Sequence, residues 1–139
     1  MKRIVLIVFT GILIISCSIA PKEIVYGKDM CVFCNMTIVA KTHAAELVTK
    51  KGKVFKYDAV ECMINDLSEK DESTMALLLV TDFTAPTSLI DATKAHFLIS
   101  EELKSPMGEN LTAFKNKKSI SFVGVQYNWE EIKKVIQKE

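Results

Sequence analysis

The chain has 139 residues, 49% of them hydrophobic, with a formal net charge of +1. This length fits one domain or two very small ones and excludes a large multidomain enzyme. Charged residues at 25% and aromatics at 8% exclude a disordered chain, and the near-zero charge gives no electrostatic basis for nucleic acid as a partner.

The first element is an address. Lys2 and Arg3 precede a twelve-residue apolar run, Ile4 to Ile15. That pattern fits a secretory signal peptide and is short for a membrane span, which needs about 20 residues. The run ends in Ile14-Ile15-Ser16-Cys17, which resembles a bacterial lipobox. Residues 1–16 are therefore expected to be a lipoprotein signal peptide and Cys17 the lipidated residue. Several acyl chains would anchor the protein stably where one would not. The expected location is the bacterial cell envelope, facing the periplasm. Ser18 lacks the acidic character of an inner-membrane retention signal, which favours the outer membrane.

Processing and lipidation of Cys17 would leave three free cysteines, Cys31, Cys34 and Cys62. An odd number outside the cytoplasm cannot pair off fully, which points to a metal or a reactive thiol. Residues 17–28 read as a polar tether containing Pro21 and Gly27, and residues 29–139 as the folded part. Ala44 to Thr49 is strand-like, and Lys51-Gly52 turns it into Val54-Phe55-Lys56-Tyr57, a hairpin signal. Asp58 and Glu61 stand at capping-box spacing and open a predicted helix. Val60, Met63, Ile64 and Leu67 form its apolar stripe. Cys62 falls off that stripe, at an edge or toward the cysteine pair. Met75 to Val80 is a continuous apolar run that fits a strand buried on both faces.

In the second half, Thr87 to Ile90 and Ala95 to Ile99 read as strands. Ser105-Pro106-Met107-Gly108 reads as a turn, and Leu111, Phe114 and Ile120 as positions on a helical stretch. Val123 to Tyr127 reads as a short strand. Asn128 with Glu131 caps a last helix whose apolar face is Trp129, Ile132, Val135 and Ile136. Each half reads as strands followed by a helix. The expected class is α+β, with a first unit at about 29–74 and a second at about 75–139.

The chemistry sits at Cys31-Val32-Phe33-Cys34-Asn35-Met36. Two thiols at this spacing can grip one metal ion, form a structural disulfide or act as a redox pair. In an extended segment residues i and i+2 share a side, so Cys34 and Met36 can converge on one ion. Thiolate and thioether are soft donors that select Cu(I), whereas zinc has little use for a thioether. A thioredoxin-like motif would open a helix after a strand. This one precedes β-branched Thr37-Ile38-Val39.

The ordered set of lipobox, C-x-x-C-x-M, Phe55-Lys56-Tyr57-Asp58 with Cys62-Met63, Val80-Thr81-Asp82-Phe83, Asp91-Ala92 with Ala95, and Pro106-Met107-Gly108 with Leu111 and Ala113-Phe114 resembles the NosL family. These are lipoprotein copper chaperones of nitrous oxide reductase maturation. The family's usual C-x-x-C-G-M has Gly where this chain has Asn35, and Asn tolerates the left-handed conformation better than most residues. The resemblance implies two ββα-type units similar to the small domain of organomercurial lyase. It also implies Cu(I) as cargo, a membrane held through the lipid anchor, and an apo cuproenzyme as client, nitrous oxide reductase in the first place. Carried over by position, Cys34 and Met36 are the leading copper ligands, with Cys31 next.

His43, Met107 and Cys62 are further candidates. Their ordinary readings are a solvated loop histidine, a packing methionine and an edge cysteine. No Ser/His/Asp set, phosphate loop or paired-carboxylate site is present, so no enzymatic activity is expected. The alternatives from other classes are a thiol-disulfide oxidoreductase using Cys31 and Cys34, and a structural zinc or disulfide module that binds other proteins.

Overall fold

The computed structural model describes residues 18–137. The expected signal peptide and Cys17 lie outside the described residues. The strands are β1 (Ala45–Thr49), β2 (Val54–Tyr57), β3 (Met75–Thr81), β4 (Leu89–Asp91), β5 (His96–Ile99), β6 (Leu111–Phe114) and β7 (Val125–Tyr127). The helices are α1 (Val60–Ser68) and α2 (Trp129–Ile136), and three short 3-10 turns fall at Glu72–Thr74, Ala92–Lys94 and Lys117–Ser119. The architecture is α+β, as the alternation of strand and helix signals predicts.

The strands form two antiparallel sheets, ordered β2-β1-β3-β4 and β6-β5-β7. Strands from the two expected units meet in the first sheet: β1 and β2 precede residue 74, and β3 and β4 follow it. The β1–β2 hairpin forms where Lys51-Gly52 predicts it. Gly52 takes φ 79°, a left-handed conformation that costs glycine little, and its N–H donates to Thr49 O at 2.9 Å.

The stripe Val60, Met63, Ile64 and Leu67 is buried as its spacing requires, on a core that also receives Leu47, Val80, Phe97 and Leu111. On α2, Trp129, Ile132 and Ile136 reach the same core, and the Trp129 ring lies 5.8 Å from that of Phe97. β3 is buried at its ends and only half-buried from Ala76 to Leu79, so the expectation of a strand covered on both faces holds in part.

Two expectations fail. Leu111 and Phe114 lie on β6, not on a helix. All four residues of β6 are buried. Leu111 and Ala113 enter the main core, whereas Phe114 joins Leu98 and Leu103 in a smaller cluster with Phe83, Ile120 and Phe122. Alternate side chains thus enter different apolar environments, a period of two that a four-residue sample disguises. Asp58 does not cap α1. The N-cap is Ala59 and has no side-chain cap bond.

The segment from Lys22 to Asp29, which overlaps the expected tether, packs on the first sheet. Lys22 donates its backbone N–H to Glu46 Oε1 at 2.8 Å, and Ile24 is buried. Lys56 Nζ bonds to Glu23 O at 2.5 Å and to Asp29 Oδ2 at 2.7 Å. These contacts lead the chain into the cysteine loop.

Candidate metal centre

The cysteine loop is a finger pinned at its base. Met30 and Thr37 form an isolated antiparallel bridge, and Ile38 donates to Asp29 O at 2.9 Å. Within it Cys31 N bonds to Met36 O at 2.8 Å, and Asn35 N bonds to Cys31 O at 3.0 Å. Val32 N donates to Lys56 O at 3.0 Å, which ties the finger to β2 just before Asp58. Asn35 has φ 61°. The left-handed turn expected of that position is therefore made by an asparagine. The same turn overturns the expectation that Cys34 and Met36 share one side of an extended segment.

The finger and the start of α1 bring together Cys31, Cys34, Cys62 and Asp58, whose ligand atoms all lie within 4.8 Å of one another. Cys34 Sγ donates to Asp58 Oδ1 at 3.3 Å, and Cys62 Sγ donates to the same oxygen at 3.4 Å. This is why Asp58 leaves the helix end uncapped. Cys31, Cys62 and Asp58 are buried and Cys34 is half-buried. Cys62 stands off the apolar stripe, as its position predicts. It is nonetheless fully buried, because the finger covers that face of α1.

The three thiols are unequal. A hydrogen bond from Cys62 is the main reason the Cys31 thiol is pulled down to about 6, against its own burial. Backbone N–H groups of Cys34, Asp58 and Phe33 also point at its sulfur. Burial is the leading cause that pushes Cys34 up to about 11, opposed by the Met36 N–H. Cys62 is pushed up chiefly by its contact with the Cys31 sulfur, to which its one proton can be directed in place of Asp58, and burial adds to this. The centre thus carries one thiolate near neutral pH, inside a nest of N–H and S–H donors.

The other predicted residues are placed differently. Met36, two residues after Cys34, is 42% exposed, and its backbone N–H faces the Cys34 sulfur. His43 is buried away from water, with Nδ1 2.9 Å from Thr42 Oγ1, Nε2 3.4 Å from Thr112 Oγ1 and its ring edge-on to Phe83. Burial lowers its pKa. It is held by its own partners and is not among the four converging residues. Met107 lies exposed on the Ser105–Gly108 turn. That turn docks on α1 through a bond from Ser105 Oγ to Glu61 Oε1. Asp58 is the residue that sequence reasoning missed. Its signal was its place four residues before Cys62, one helical turn away.

The finger and its flank carry an apolar collar of exposed side chains, Met30, Val32, Phe33, Met36 and Val39. Among the described residues no helix is long and apolar enough to cross a membrane.

Comparison with known proteins adds three findings. The NosL family model matches residues 23–128. No curated protein sequence matches this chain. The fold is similar to that of the copper chaperone NosL from Shewanella denitrificans, with a TM-score of 0.70 and 22% identity, over 82% of this chain and 96% of that one.

Proposed function

This chain belongs to the NosL family, and we propose that it binds Cu(I) outside the cytoplasm and passes it to a cuproenzyme. The observation that carries this reading is the convergence of Cys31, Cys34 and Cys62 beneath an exposed rim that bears Met36. Soft donors select Cu(I), and a cargo site must be stable yet open to an incoming ligand. Cys34 and Met36 suit the exchange step. Cys34 is half-buried, and the thioether has no proton to compete with the metal. Cys31 supplies a thiolate already present near neutral pH. The similarity to a copper chaperone of known fold supports the same cargo.

A client would approach over the apolar collar and replace the rim ligands one at a time. No bond of substrate is made or broken, so the protein acts as a carrier without catalysis. The client we propose is nitrous oxide reductase or its maturation complex. Lipidation at Cys17 would hold the carrier at the membrane, with the outer membrane as the favoured site. Palmitate labelling that survives Cys17→Ala would overturn the anchor.

Anaerobic Cu(I) titration against a competing chelator tests the cargo. The expected result is one Cu(I) per chain, with affinity sharply reduced by Cys34→Ser and by Met36→Ala. Unchanged competition in both variants would overturn it. One observation favours a second reading. A Cys31 thiol near 6, beside Cys34, suits thiol-disulfide exchange. That reading predicts exchange activity that Cys31→Ser abolishes and Met36→Ala leaves intact. The complete burial of Cys31 opposes attack on an external disulfide.

A further inference from the structure

Apart from the metal centre, the segment from Lys22 to Tyr26 lines a cavity of about 420 Å³, and Lys41, Thr87 and Leu89 complete the lining. That volume lies within the range of small-molecule sites, about 300–1,000 Å³, and far exceeds the share of one water molecule, about 30 Å³. Lys22 and Lys41 are exposed, and among the described residues neither belongs to an ion pair. Glu23 is the one acid in the lining, so two ammonium groups leave the cavity net positive. Glu46, buried on β1, feels the Lys22 charge but does not line the cavity. Both cations stand on pinned backbone. Lys22 donates its N–H to Glu46 Oε1 at 2.8 Å, and Lys41 O accepts the Thr87 N–H at 2.8 Å.

Backbone strain marks the same place. Thr87 has φ 69°, a left-handed conformation that a β-branched residue rarely adopts. Strain of this kind gathers at ligand sites, where surrounding contacts hold it. Here the bond to Lys41 O holds it and fixes one cation beside the strained residue. The rest of the lining is mostly apolar. Ile24, Val25 and Leu89 contribute hydrocarbon, and the Tyr26 hydroxyl is already paired with Thr81. Two pre-positioned ammonium groups beside an apolar wall suit a phosphate ester that carries a hydrocarbon part.

The position in the chain says which ester. Lys22 follows Cys17 by five residues. Five extended residues reach at most about 17 Å, so acyl chains on Cys17 would hold the cavity within reach of the headgroup layer. Ile19 and Val25, on the same stretch, are exposed apolar residues. We propose that this cavity binds the phosphate of an anionic phospholipid headgroup through Lys22 and Lys41. A chain held only by its tether turns freely at the surface. A headgroup seated on this segment would fix its orientation, because the segment runs on into the finger at Asp29. The choice of a lipid rests on the proposed anchor at Cys17; the anion-binding character of the cavity does not.

The test titrates the reduced full chain with dihexanoyl phosphatidylglycerol, a soluble short-chain lipid, below its micelle concentration. Acetylation rates of individual lysines, mapped by mass spectrometry, report occupancy. Lys22 and Lys41 should be protected in a saturable way, while Lys134, exposed on α2, should react as before. Dihexanoyl phosphatidylcholine and inorganic phosphate should protect neither lysine at the same concentration. Lys41→Gln should weaken the protection of Lys22 about fivefold, the share of one lysine at an anionic lipid surface. Lys41 is exposed and outside the metal centre, so this variant should keep the parent's circular dichroism and its Cu(I) competition. Equal protection by inorganic phosphate overturns the lipid. Equal slowing at Lys134 reduces the effect to general charge attraction and overturns the site, as does unchanged affinity in Lys41→Gln. Palmitate labelling reads the anchor separately. Loss of labelling with lipid binding intact sinks the anchor alone, and loss of lipid binding with labelling intact sinks the site alone.

Discussion

The two helices begin on the same sequence device and use it differently. At α2, Asn128 Oδ1 accepts the Glu131 N–H at 3.0 Å, and Glu131 Oε2 accepts the Asn128 N–H at 2.8 Å, a complete capping box. At α1, Asp58 and Glu61 have the spacing but neither closes the box. Asp58 serves Cys34 and Cys62, and Glu61 serves Ser105, 44 residues away. One helix start is spent on its own stability and the other on holding a reactive centre. An uncapped helix N-terminus leaves backbone donors facing outward. Here the Asp58 N–H, just before the N-cap Ala59, is directed at the Cys31 sulfur, so the residue spaced to cap the helix serves the centre with both its backbone and its side chain.

The largest expected effect tests the structural end. Trp129→Ala should destabilise the fold by about 3–5 kcal/mol, because it empties the contact with Phe97 in the main core. Urea unfolding measures it, and the thiolate absorbance of the folded variant should not change. At the other end, Cys62→Ala removes the donor that keeps the Cys31 thiol near 6. The ultraviolet thiolate titration should then move toward the ordinary range of about 8.5. An unmoved midpoint would break the comparison.

A smaller pair sharpens it. Asn128→Ala should cost about 1 kcal/mol and leave every thiol alone. Asp58→Asn should instead lower the Cys34 pKa from about 11, because the Asp58 carboxylate is one of the groups that hold that proton in place. Alkylation of Cys34 at mildly alkaline pH would then be faster. If Asp58→Asn behaves like Asn128→Ala, the two helix starts are equivalent after all.

The smallest effect is in the acid profile. His43 has a lowered pKa, so the unfolded chain binds the extra proton and stability falls as pH drops below about 6.5. The depressed Cys31 adds in the same sense as pH falls through about 6. Glu61 opposes both. Burial raises it to about 7, so its contribution is present below the unfolded value and is lost as pH rises toward 7. Glu61→Gln should therefore steepen the loss of stability between pH 7 and 5, and His43→Gln should flatten it. Denaturant midpoints at the two pH values measure both.

Much of this protein was legible in local pattern. The hairpin at Lys51-Gly52, the stripe on α1, the box at Asn128 and the turn at Asn35 each depend on neighbours within a few residues. Backbone conformation and helical spacing are short-range properties, so residue order alone determines them, along with the presence of soft donors at Cys31, Cys34 and Met36. Tertiary structure decided the rest. It made Leu111–Phe114 a strand by giving its two faces different apolar partners, buried His43 between Thr42 and Thr112, and turned Asp58 from a cap into the companion of three thiols. Those outcomes depend on which groups compete for a side chain once distant segments meet, and a buried carboxylate takes the donors that the tertiary fold brings within reach.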